Sequence, residues 1–151
     1  MAKKTATQGL TLVRLQMVKE EIEYYGTKKV QTPKDLEEVV RKFIGDSDRE
    51  VFLSVKLSSA NLINSIHIIS IGSLNQSIVH PRECFKAALL CNAEAVVFAH
   101  NHPSGEVIPS NEDKQVTAGL KQAGQLLGIR VLDHVIVGDG KYFSFQENNI
   151  L

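Results

Sequence analysis

Ala95-Val96-Val97-Phe98-Ala99-His100-Asn101-His102-Pro103, followed after six residues by Ser110 and then by Asp113, decides the reading of this 151-residue chain. Side chains two apart in a strand share a face, so His100 and His102 can reach one cation while Asn101 points away. Two imidazoles and a carboxylate with an open fourth position form the ligand set of a hydrolytic zinc site, not of a closed structural one. The apolar run before the histidines reads as a buried strand, with the ligands at its carboxyl end. The letters His-Asn-His do not make an HNH nuclease, whose residues are dispersed across a hairpin-helix unit.

Outward from that stretch, Ser110 to Leu127 reads as a helix closed by Gly128. Arg130 to Val137 reads as a buried strand, and Gly138-Asp-Gly-Lys141 as a turn into Tyr142-Phe143-Ser144-Phe145. On the upstream side, Pro81 opens a short helix with apolar residues at Cys84, Phe85, Ala88, Leu89 and Cys91. Val51 to Leu57 and Ile63 to Ile71 read as a hairpin joined by a polar turn around Ser58 to Asn61. Thr32-Pro33 before Asp35-Leu36-Glu37-Glu38-Val39-Val40 marks a helix start, with the helix ending near Gly45. Leu10-Thr-Leu-Val-Arg-Leu-Gln-Met-Val18 is read as a strand, with a helix running into Glu20-Glu21-Ile22-Glu23 as the alternative. Mixed strands and helices predict an α/β fold, a sheet sandwiched by helices.

Composition bounds the function classes. Hydrophobic content of 43% and charged content of 23% belong to an ordinary globular protein. Seventeen basic and seventeen acidic residues give a formal net charge of zero, which argues against a broad footprint for nucleic acid. No apolar run approaches the roughly 20 residues of a membrane span, and no apolar signal core follows Met1-Ala-Lys-Lys-Thr5. A cytoplasmic protein is expected. Cys84 and Cys91 lie two helical turns apart, roughly 10 Å along the axis, which is too far for a disulfide. Both read as buried small apolar residues.

Ser110 and Asp113 also fit a capping box, with Ser110 as N-cap and Asp113 at the third helical position. The two roles are compatible, because a carboxylate at a helix N-terminus can also face a cation. Hydrolysis needs a base for the attacking water, and Glu50, Glu83, Glu106 and Asp133 are candidates among which spacing does not choose. For Glu50 the plain alternative is a solvated strand end. His134 is either a partner of a metal ligand or a hydrogen-bonded core residue, and Asp133 has no assigned role. His67 and His80 read as structural or exposed.

The string His100-x-His102-Pro103-x6-Ser110-x2-Asp113 resembles the JAMM, or MPN-plus, metalloprotease signature. More narrowly, the chain is similar to the RadC family through His80-Pro-Arg-Glu83, Ala87-Ala-Leu-Leu90, His100-Asn-His-Pro-Ser-Gly105, Pro109-Ser-Asn-Glu-Asp113, Ala123-Gly-Gln-Leu-Leu-Gly128 and Leu132-Asp-His-Val-Ile-Val-Gly138. That similarity spans roughly Leu10 to Leu151. It implies a three-layer α/β/α sandwich with a mixed sheet, the cytidine-deaminase-like JAB/MPN domain. It implies one zinc ion held by His100, His102 and Asp113, with water as fourth ligand. In JAMM proteins the catalytic glutamate stands just before an apolar strand upstream of the histidines, and Glu50-Val51-Phe52-Leu53 matches that placement. Glu50 is therefore the base that the resemblance implies, and Ser110 the hydrogen-bond donor to the oxyanion. Deaminase chemistry is not implied, because His-x-Glu and Pro-Cys-x-x-Cys are absent.

These readings set the expectations. Residues 1–9 form a disordered tail and 10–151 one JAB/MPN domain, with no room for the helix-hairpin-helix region of longer family members. The function expected is a zinc-dependent metallohydrolase acting on a peptide or isopeptide bond of an unknown peptide or protein substrate. The alternative is a DNA-repair or DNA-metabolism accessory protein with a structural or vestigial zinc site. Net charge does not support DNA contact, no membrane association is expected, and a homodimer is an open alternative.

Overall fold

The apolar runs beginning at Val51 and Ala95 become two of the three inner strands of a five-stranded sheet. The computed structural model describes residues 8–23, 26, 28–44, 46–72 and 79–151. Its elements are α1 (Pro33–Ile44), β1 (Glu50–Leu57), β2 (Ile63–Gly72), α2 (Pro81–Leu90), β3 (Ala95–Asn101), α3 (Asn111–Leu127), β4 (Arg130–Val137) and β5 (Tyr142–Ser144). The strand order is β2-β1-β3-β4-β5. β3 and β4 run parallel and every other neighbouring pair is antiparallel, so the sheet is mixed.

Alternation in the inner strands feeds two cores. Leu53 and Val55 of β1 join Val97 and Ala99 of β3 against Leu36, Val40 and Ile44 of α1. Phe52, Val96 and Phe98 point the other way, onto Phe85 and Ala88 of α2 and Val116 and Leu120 of α3. Helices therefore cover both faces, and the architecture is the α/β/α sandwich. β1 and β3 are buried on both sides, which is why they are nearly unbroken apolar runs. Gly124 lets α3 approach β4: a Cβ there would lie 2.6 Å from the Ile129 carbonyl oxygen and 2.9 Å from Val131.

Each helix starts where its capping chemistry lies. The Asp35 carboxylate accepts from the Thr32 N–H at 2.8 Å, ahead of Pro33. His80 caps α2 by accepting from the Arg82 N–H at 3.1 Å. α3 closes on Gly128, whose φ of 71° is left-handed. The hairpin turn places Asn61 at φ 57°. Arg41 of α1 donates to the Gly138 carbonyl at 2.9 Å and the Lys141 carbonyl at 3.2 Å, fastening α1 to the β4–β5 turn.

One expectation is corrected. Residues 10–18 form no strand, and no helix either, since residues 8–23 carry no regular element. Leu10, Leu12 and Leu15 are 99%, 86% and 81% exposed. Strand propensity is a preference for a pleated, half-buried surface, and this segment has no such surface under it. Residues 1–7 of the expected tail and Gly45 lie outside the described residues. Both cysteines are free thiols. Cys84 is buried, which pushes its thiol up to about 12. Cys91 is half-buried at the end of α2, where full burial had been expected. No described helix is long and apolar enough to cross a membrane.

Candidate metal centre

β3 carries His100 to the carboxyl edge of the sheet, and the chain leaves the strand through Asn101 and His102. The N-terminus of α3 returns to the same edge. Ligand atoms of His100, His102 and Asp113 all lie within 4.8 Å of one another. His100 Nε2 is 3.0 Å from His102 Nε2 and 3.3 Å from Asp113 Oδ1. His102 Nε2 is 3.5 Å from Asp113 Oδ2. A tetrahedral ion with bonds of about 2.0–2.1 Å keeps its ligand atoms about 3.3 Å apart, so the triangle has the size of a metal site. The donor set, two imidazole nitrogens and a carboxylate oxygen, suits zinc and several other divalent ions.

Electrostatics agree with that geometry. Burial lowers the pKa of His100, against the hydrogen bond and charge of Asp113, which raise it. For His102 the order reverses: the Asp113 hydrogen bond raises its pKa and burial opposes it. Burial alone would raise Asp113, but the two histidines beside it and the hydrogen bond from the Ser110 N–H hold its carboxyl far below the usual range. The site is a preformed anion between two imidazoles.

Both readings of Ser110 and Asp113 meet here. The Ser110 hydroxyl accepts from the Asp113 N–H at 3.0 Å, and Asp113 Oδ2 accepts from the Ser110 N–H at 2.7 Å. The capping box is thus complete. It leaves Oδ1 facing His100 and fixes the carboxylate at the positive end of α3. Ser110 itself is exposed at the rim.

The base candidates separate by position. Glu50 opens β1 two residues before Phe52, which pairs with His100 across the sheet. Glu50 therefore shares the face of Phe52 and His100, and its charge acts on both His100 and His102. Glu106 is exposed and paired with Lys141 at 3.1 Å. Glu83 is paired with Lys86 at 2.8 Å on α2. Asp133 is buried and saturated, accepting from the Ser144 hydroxyl at 2.6 Å, the His134 N–H at 2.7 Å and the Gln146 N–H at 3.0 Å. It ties β4 to the chain after β5.

Three residues around the ligands carry more than the sequence disclosed. Asn101 does point away from the metal position, and its side chain is fully employed: Oδ1 accepts from the Val51 N–H at 2.7 Å, and Nδ2 donates to the Arg49 carbonyl at 2.9 Å. It clamps the start of β1 to the histidine strand. His134, left between two roles, is buried on β4 with Nε2 2.8 Å from His100 Nδ1. Thr117 was missed. Its hydroxyl lies 2.5 Å from His134 Nδ1 and 2.6 Å from the Asp113 carbonyl oxygen. The available signal was its spacing, four residues after Asp113 on one helical face. On the outer side, the His102 ring meets the Glu106 carbonyl at 2.9 Å. A polar cleft of about 360 Å³, lined by Arg41, Asp46, Ser47, His102 and Asp139 among others, opens beside His102.

An α/β/α sandwich with a His-His-Asp cluster where a strand end meets a helix N-terminus defines a JAB-type domain with a candidate metal centre. A profile of the RadC-like JAB domain matches residues 30–150. The chain belongs to that family. It is 50% identical over 122 residues to a UPF0758 protein of Desulfitobacterium hafniense, covering 81% of this chain and 54% of that one. It is 54% identical over 106 residues to one from Trichlorobacter lovleyi, covering 70% and 46%. With a UPF0758 protein of Methanosarcina mazei it shares 44% over 124 residues, covering 82% and 54%. The chain thus spans about half the length of these relatives, and their names carry no activity. The family match begins at residue 30, so it leaves out residues 10–29, which the sequence resemblance had included.

Proposed function

We propose that this domain is a zinc-dependent metallohydrolase that cleaves a peptide or isopeptide bond. The observation that carries the reading is the cluster of the two Nε2 atoms and the Asp113 carboxylate, in contact at 3.0–3.5 Å with its ligands already oriented. His100, His102 and Asp113 would hold the ion. A zinc ion bound there supplies Lewis acidity, lowering the pKa of water and polarising a carbonyl. Glu50 takes a proton from the attacking water as its oxygen bonds to the carbonyl carbon. The Ser110 hydroxyl donates to the oxyanion of the tetrahedral intermediate; it already accepts from the Asp113 N–H, which leaves its proton for that use. As the carbon–nitrogen bond breaks, Glu50 passes the proton to the leaving amine. The polar cleft beside His102 suits an extended polypeptide. Two free thiols suit a reducing compartment, and we place the protein in the cytoplasm.

The test uses a peptide library together with ε-linked isopeptides, read by mass spectrometry. Zinc-loaded wild type is expected to release fragments. Glu50→Gln is expected to bind zinc equally and to be slower by about 10²–10⁴-fold, the usual contribution of a general base. Equal rates in the two proteins would remove Glu50 from the mechanism. A zinc-bound wild type that cleaves no probe would favour the accessory-protein reading.

A further inference from the structure

Resting on the metal-site reading, we propose that Thr117 and His134 are positioning residues that lock His100 in its Nδ1–H tautomer and so aim its Nε2 lone pair at the metal position. The argument is a proton count. The Thr117 hydroxyl makes two short contacts, 2.6 Å to the Asp113 carbonyl oxygen and 2.5 Å to His134 Nδ1. A hydroxyl has one proton to donate, and a carbonyl oxygen has none. Two oxygens at that distance without a proton between them repel, so Thr117 donates to Asp113. The second contact then needs its proton from His134 Nδ1.

That settles the rest of the chain. The His134 ring is fully buried, stacked on Phe145 at 4.9 Å and edge-on to Phe52 at 5.6 Å. No carboxylate among the described residues hydrogen-bonds the ring. It is a neutral imidazole with its proton on Nδ1, so Nε2 carries a lone pair. That lone pair lies 2.8 Å from His100 Nδ1 and accepts its N–H. His100 Nε2 is left unprotonated, facing His102 and Asp113. His102 donates Nδ1–H to the Glu106 carbonyl at 2.9 Å, and the 3.0 Å contact between the two Nε2 atoms then takes its proton from His102. His100 therefore presents the nitrogen a cation needs before it arrives, and His102 gives up its Nε2 proton to the cation. The path also closes on itself: Asp113, Thr117, His134 and His100 join α3, β4 and β3, beginning and ending on metal ligands. Outer partners of this kind change metal affinity by about 10–100-fold when removed.

Two measurements on the full chain test it. In the metal-free protein, long-range ¹H–¹⁵N correlation of ¹⁵N-histidine is expected to show His100, His102 and His134 all protonated at Nδ1. Nε2–H on His100 or His134 would overturn the proposal, whatever the metal result. Zinc affinity by chelator competition is expected to fall 10–100-fold in Thr117→Val, with Thr117→Ser near wild type. Equal affinity in wild type and Thr117→Val, or equal loss in both variants, would overturn it, the latter assigning the effect to packing. If Thr117→Val does not fold, the wild-type spectrum decides. Wild type that binds no zinc at all would sink the metal reading, while the spectrum still judges the relay.

Discussion

Lys56 stands on β1, on the face that also carries Phe52, and is buried to 0% exposure. Among the described residues its ammonium reaches only the Ser54 carbonyl and hydroxyl, both at 3.3 Å. Burial lowers its pKa from 10.5 to about 8, slightly offset by the neighbouring Cys91. The unfolded chain holds that proton up to about 10.5, so between pH 8 and 10.5 the unfolded state binds more protons than the folded one. Stability is therefore expected to rise with pH across that window, with the full cost of the buried charge present below it. Lys56→Met is expected to stabilise at pH 7 by up to about 3 kcal/mol, the equivalent of that shift, with a smaller gain by pH 10. Urea melts at both pH values measure it; a less stable variant, or a gap independent of pH, would contradict the account. Nothing in the sequence marked Lys56, because a single lysine within an apolar alternation reads as an edge residue. His100, His102 and Asp113 were legible for the opposite reason: their residue types and strand and helix spacing leave few other uses. Thr117 was not, since a threonine inside a helix is ordinary until the residue across from it is known.

At the scale of elements, Asn101 acts as the fastening between β1 and β3. It holds the Val51 N–H and the Arg49 carbonyl, so the turn that delivers Glu50 is tied to the strand that delivers His100. Asn101→Ala leaves a buried backbone N–H without its partner, which costs about 1–3 kcal/mol. The expected result is a lower melting temperature together with faster hydrogen exchange at the Val51 amide, and unchanged melting and exchange would refute the clamp. The elements themselves were largely readable. The hairpin, the proline-led helices and the β3–α3–β4 unit each carried both periodicity and an end signal. Residues 10–18 carried apolar, β-branched residues but no partner, and pairing is a tertiary fact that local pattern does not contain.

For the whole molecule, the decisive feature is where the parallel pair sits. β3 and β4 are the only neighbouring strands that run parallel among the described residues, and α3 is the crossover between them. The carboxyl end of β3 and the N-terminus of α3 must then meet at one edge, which brings histidines and aspartate together across ten residues of loop and cap. The sandwich was predictable from the alternation of element types; the strand order was not, since it depends on which buried strands pair. The measurement that bears most directly on this account is zinc stoichiometry and affinity of wild type beside Asp113→Asn. The Asn side chain can still accept the Ser110 N–H, so α3 stays capped while the anionic ligand is lost. The expected result is one tightly bound zinc in the wild type and little in a folded Asp113→Asn. A wild type that stays metal-free at saturating zinc, or a variant that binds as tightly, would contradict it.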